Sequence, residues 1–123
     1  MGISDIKGLD VKKGLALVAN NKMIYTRLLN SYIKNALCDQ LIEAINNGDT
    51  ADISQKAHSL KGVAGNMHMG ELYELSQKIE GDAKDGAAIS ASDEIVARLI
   101  EANKQVLESI NMMIENPAIL DTV

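Results

Sequence analysis

Residues 53–67, ISQKAHSLKGVAGNM, decide how this chain folds. At about 100° per residue, with His58 set at zero, Ile53, Ala57, Leu60, Ala64 and Met67 fall between about 180° and 260° on a helical wheel. An unbroken apolar stripe of this kind belongs to a helix laid against a core. His58 points the other way. Ser54, Lys61, Gly62 and Gly65 all fall within about 60° of it, so the outward imidazole is surrounded by small, polar and cationic residues.

Working outward, the same helical period recurs. Asn46-Asn47-Gly48-Asp49 stops one helix and restarts the next, with Gly48 suited to a left-handed position and Asp49 or Thr50 to capping. Before it, Leu29, Ile33, Leu37, Leu41 and Ile45 repeat at i+4 from Met23 to about Ile45, and a bend between Asn35 and Asp39 is compatible with the pattern. Asp10 caps a short helix through Leu15, Leu17 and Val18, which ends at Asn20-Asn21. After an ambiguous MHMG, Leu72, Leu75, Ile79 and Ala83 share one face from about Glu71 to Lys84. Asp85 to Ser90 reads as a loop. Ser90 or Ser92, with Asp93 and Glu94, starts a last helix whose face runs Ile95, Leu99, Ala102, Val106, Ile110, Met113 until Pro117. The expected fold is all-α: an antiparallel four-helix bundle with a short additional N-terminal helix, one domain over 1–123 with loose ends at about 1–8 and 117–123.

Composition agrees. The 123 residues are 46% hydrophobic and 24% charged, with no Phe or Trp, so Leu, Ile, Val, Met and Ala must fill one core of ordinary size. A net charge of −5 and the lack of a Lys/Arg cluster argue against nucleic acid. The single Cys38 cannot form an internal disulfide and lacks an activating partner. Neither a signal-peptide start nor a membrane-spanning apolar run is present, so a reducing cytoplasm is the simplest location.

The two glycines beside His58 require an explanation. Each costs about 1 kcal/mol against Ala in a helix interior, roughly 2 kcal/mol together, from a total stability of about 5–15 kcal/mol. Either a neighbouring helix packs closely over them, or their missing Cβ atoms leave room for a partner to reach the imidazole. Because they share the histidine's outward face, the second reading is preferred. Neutral imidazole is a nucleophile with one free ring nitrogen, able to accept a phosphoryl group and release it. Lys61, one turn on, is placed to sit beside phosphoryl oxygens as a mobile charge. Phosphoryl transfer also needs cation clamps held by carboxylates, and none is obviously grouped with His58 in the sequence, so a partner would bring them.

The pentad HSLKG resembles the motif of histidine-containing phosphotransfer domains: His, a hydrophobic residue two on, Lys three on, Gly four on. LDVKKGLALVANNKMIYTRLLNSYI is similar to the N-terminal helices of such domains joined to bacterial hybrid sensor kinases, and NMHMGELYELSQKIE resembles the stretch after the motif. The resemblance runs from about Leu9 to Val106. It implies a phosphorelay intermediate in which His58 takes a phosphoryl group on Nε2 from an aspartyl phosphate of one receiver domain and passes it to another. Lys61 would interact with the phosphate and Gly62 would let the receiver approach; Ser54 and Gly65 are expected in the same contact because they share the outward face of His58. The receiver would supply the acidic pocket and Mg²⁺, leaving this chain without a cofactor of its own. It would act as a monomer. His68 departs from the pattern, because many members carry Gly there.

Rival readings are weaker. His58 and His68 diverge by about 80° on a continuous helix and lack an i,i+4 partner, which argues against a metal site. Met67, Met69, Met112 and Met113 suit packing better than copper. The dimerisation-domain histidine of a histidine kinase is generally followed by an acidic residue and then proline, whereas Ser59 follows His58. The absence of a nucleotide-binding Gly-rich motif argues against autonomous kinase activity. Two alternatives stay open: a phosphoacceptor domain from a larger hybrid or chemotaxis-type kinase, and a non-catalytic helical adaptor using the same face.

Overall fold

The computed structural model describes residues 2–123, which are helix and loop throughout; Met1 lies outside the described residues. Local capping accounts for most of the boundaries. Asp10 begins α1 (Val11–Leu17), its side chain accepting from the Lys13 amide at 3.1 Å. Asn21 begins α2 (Lys22–Asn35) by accepting from the Ile24 amide at 3.1 Å. α3 (Leu37–Asn47) ends at Gly48, φ +75°, the expected left-handed stop. Asp49 then caps α4 (Thr50–Asn66) by accepting from the amides of Ala51 and Asp52. α5 (Gly70–Lys84) and α6 (Glu94–Glu115) complete the series.

One boundary falls where the sequence allowed a bend, between Asn35 and Asp39, and another differs from the sequence reading. The 23–45 pattern is two helices, broken at Ala36, whose φ of +47° is left-handed. The Gln40 side chain donates to the Asn35 carbonyl at 2.7 Å and so occupies a backbone acceptor freed by the break. At the other boundary, Asp93 rather than a serine occupies the cap of α6. Its carboxylate accepts from the Ser90 amide at 2.9 Å, while the Ser90 and Ser92 hydroxyls bond each other.

The apolar faces close on one another as four antiparallel rods, with the broken α2–α3 pair counting as one. α4 lies against α5, α3 against α4, α5 against α6, and both α2 and α3 against α6. Leu41, Ile53, Leu60, Leu72, Ile79, Leu99 and Ile110 are almost wholly buried where the faces meet. The Tyr32 hydroxyl donates to Asn103 Oδ1 at 2.5 Å and ties α2 to α6.

Both ends of the described residues carry local structure where loose segments were expected. Pro117 does end α6, but Pro117–Thr122 then forms a 3₁₀ helix whose Ile119 and Leu120 are buried, and Asp121 pairs with Lys22. At the other end Ile3–Asp5 forms a 3₁₀ turn, and Ile3 and Ile6 pack against the core. Ser109 on α6 holds Lys7 on both sides, its Oγ accepting from the Lys7 amide at 2.9 Å and donating to the Lys7 carbonyl at 2.6 Å. Short apolar ends gain burial wherever a core residue also satisfies their backbone.

The ambiguous turn resolves around His68. Its φ is +56°, its amide bonds back to the Gly65 carbonyl, and its own carbonyl accepts from the Asp10 amide at 3.0 Å. The left-handed region costs an L-residue about 1–2 kcal/mol, partly offset by the greater freedom of an unfolded glycine. His68→Gly should therefore stabilise the protein by about 0.5–1 kcal/mol, raising the melting temperature by roughly 2–4 °C in a thermal scan. An unchanged or lower midpoint would contradict this account of the turn.

Candidate functional site

α4 is held by its buried stripe. Ile53, Ala57, Leu60, Ala64 and Met67 are all at most 5% exposed, and the His58 side chain on the opposite face is 68% exposed. Of the residues expected near it, Ser54 is half-buried and Gly62 is exposed. The two glycines have different explanations. A Cβ built on Gly62 meets nothing within 4 Å, so the space over it is open. On Gly65 it would lie 3.1 and 3.2 Å from the Tyr73 ring of α5, so that glycine serves a close approach within the bundle. Gly62→Ala should therefore gain about 1 kcal/mol of stability in denaturant melts, because helix propensity improves and nothing is displaced. A loss of stability would show that the open space is not free.

The sequence placed no carboxylate with His58, and here the structure corrects it. Glu80 of α5 reaches across, with Oε2 2.7 Å from His58 Nδ1 and Oε1 accepting from Lys61 Nζ at 2.5 Å. Lys84, one turn on from Glu80, places Nζ 3.3 Å from Oε2. Lys61 is thus anchored, with only a quarter of its side chain exposed, rather than mobile. The Glu80 side chain is 5% exposed. Its pKa is lowered to about 2, first by the Lys61 hydrogen bond and then by those from His58 and Lys84, against the opposing effect of burial.

This arrangement selects the tautomer of the neutral ring. An ionised carboxylate only accepts hydrogen bonds, so the Nδ1 facing it must carry the proton. In the neutral ring Nε2 is then the nitrogen with the lone pair, on an exposed side chain. Such an arrangement is chemically suited to a nucleophile, with the tautomer set by a buried anion and a cation held beside it.

Glu80 was readable in principle. It borders the Leu72–Leu75–Ile79–Ala83 stripe, and α4 and α5 form a hairpin in which Gly65 meets Tyr73 and His58 meets Glu80, both pairs centred on Met69. Neither helix reveals that register alone. His68 lies away from His58, at the turn. Among the described residues, no three or more His, Cys, Asp or Glu side chains converge as a metal-binding group would require, and Cys38 is buried and free. No helix is long and apolar enough to cross a membrane.

Residues 35–111, more than half of the chain, match the family model described as Hpt domain. The chain belongs to the Hpt domain family. The matched residues include His58, Lys61, Gly62 and Glu80, and the helical bundle is the fold of this family. No curated protein and no solved structure matches the chain. Membership gives this Hpt domain a histidine phosphotransfer role in a phosphorelay, with receiver domains as the class of partner.

Proposed function

We propose that His58 Nε2 attacks the phosphorus of an aspartyl phosphate on one receiver domain and that the phosphohistidine then donates to a second receiver. The N–P bond forms as the P–O bond to aspartate breaks, and the aspartate carboxylate leaves. The Nδ1 proton stays in place, so the phosphorylated ring carries positive charge facing ionised Glu80, which stabilises it as a buried carboxylate stabilises imidazolium elsewhere. Lys61 turns from Glu80 toward the phosphoryl oxygens. The return step reverses these changes. Mg²⁺ and its carboxylates belong to the receiver, and the chain acts as a monomer in the reducing cytoplasm. The observation carrying the reading is an exposed imidazole whose Nδ1 is bound by a buried, ionised carboxylate.

The receiver would dock beside the ring. From His58, the open surface over Gly62 leads to Asn66 and Val63, then to an apolar groove of about 280 Å³ whose other wall is Leu17 of α1 and Leu28 and Ser31 of α2. Ser54 lies at the edge toward α5. Mixing the chain with a receiver labelled at its aspartyl phosphate, in Mg²⁺, should transfer acid-labile label to this chain. An unlabelled second receiver should then remove it. No uptake from any receiver would overturn the proposal.

A further inference from the structure

The charge of this chain is unevenly distributed. Six of its 12 Lys and Arg but only two of its 17 Asp and Glu fall in the first 34 residues, so a strongly acidic protein has a basic N-terminal part. Much of that basic charge lies on α2, beside the apolar groove. With Leu28 at zero on the α2 wheel, Ile24, Ser31 and Asn35 lie within about 60°, and Arg27 and Lys34 follow at about 100–120° on the side away from buried Leu29 and Tyr32. They form the outer lip of α2, beyond Ser31 and outside the lining of the groove, on the far side from His58, where Arg27 also borders the cleft to Pro117, Leu120 and Asp121. Neither pairs with a carboxylate among the described residues, and the one polar contact of Arg27 is Met23 Sδ at 3.8 Å. Ile24 and Leu17, beside the groove, are 41% and 55% exposed. Helix surfaces commonly pair such cations with acids at i±4; here they are left uncompensated next to exposed apolar side chains.

We infer that Arg27 and Lys34 select among receivers, favouring those whose surface beside the phosphoaspartate is acidic. This rests on the phosphorelay reading above. A receiver seated over His58 and the groove meets the α2 lip at the rim of the contact. Charges at a rim act mainly on encounter rate and on the rejection of wrong partners. The chemistry stays with His58, Lys61 and Glu80, while the lip discriminates between partners. The partner is therefore a receiver that carries acidic side chains outside its own metal-binding pocket, where they can reach α2.

The test uses the full chain and two sets of phosphorylated receiver domains, one with a net negative and one with a net positive surface flanking the phosphoaspartate. Arg27→Glu/Lys34→Glu should slow label transfer from the negative set about tenfold at low salt and remove most of its salt dependence. Lys12→Glu/Lys13→Glu makes the same change in net charge away from the groove, beside His68 and Glu71, and should leave transfer within about twofold. Arg27→Gln/Lys34→Gln should fall between wild type and the charge reversal. Equal transfer by wild type and the Arg27/Lys34 charge reversal, equal loss from both charge reversals, or no preference of wild type between the two sets would each overturn the inference. Labelling of His58 by a small phosphoramidate separates the two layers. Uptake from that donor and from receivers without any charge preference sinks only this inference, and absence of uptake from either sinks the phosphorelay reading beneath it.

Discussion

Replacing His58 with Gln is expected to abolish phosphoryl uptake while leaving the bundle folded. The ring is two-thirds exposed and stands opposite the buried stripe of α4, so its removal opens no core cavity. The tie it provides is to Glu80, and a carboxamide can still donate to that buried carboxylate, avoiding the cost of an unpaired anion. Stability should therefore change by less than about 0.5 kcal/mol in urea titration. Chemistry has no substitute, because the amide nitrogen of Gln has no lone pair available for attack. Label from a phosphorylated receiver should fall to background, whereas His68→Gln should retain it. Uptake surviving in His58→Gln would place the acceptor elsewhere. An adaptor acting without phosphate would keep its partner's regulatory response in the same variant.

Glu80→Ala should slow transfer about ten- to a hundredfold without removing the acceptor, the range typical when an outer partner that orients a histidine is lost. Three effects combine. Nδ1 loses its anionic acceptor, so its tautomer is no longer enforced; the charge formed on the phosphorylated ring loses its counterion; and Lys61 loses its anchor. Glu80→Gln should recover part of the rate, since a carboxamide oxygen still accepts from Nδ1. Ring ¹⁵N chemical shifts distinguish this from a packing defect: wild type should show Nδ1 protonated, Glu80→Ala should shift toward the other tautomer, and Glu80→Gln should resemble wild type. An Nδ1-protonated ring in Glu80→Ala would refute the role assigned to the carboxylate.

The same residue carries a pH signature. Because the folded protein holds Glu80 ionised down to about pH 2, against an ordinary value of 4.5, its contribution to stability is complete above about pH 4.5. That contribution disappears as pH falls toward about 2. Denaturation midpoints of wild type should therefore fall more steeply than those of Glu80→Gln across this window. Parallel curves would mean that the ion cluster does not hold in solution.

Much of this was legible along single helices. The i, i+3, i+4 spacing of Ile53, Ala57, Leu60, Ala64 and Met67 required one buried face, and His58 could only lie on the other. Gly48 and Asp49 marked a helix boundary because a left-handed stop and a side-chain cap are local events. Ala36 carried no such signal. Its left-handed backbone is imposed by the packing of α2 and α3 around α6, which overrides what an alanine prefers. The C-terminal turn was missed for a related reason: Ile119 and Leu120 are too few to show a period, yet enough to bury.

The sequence by itself determined which residues face the core, that His58 faces outward, and that Lys61 and Gly62 stand beside it, because helical periodicity relates neighbours within about two turns. Only the tertiary structure brought Glu80 to Nδ1, covered Gly65 with Tyr73 while leaving Gly62 open, and formed the groove between α1, α2 and α4. Those relations depend on how two helices meet in register, which is decided by the packing of all their side chains together rather than by the spacing within either one.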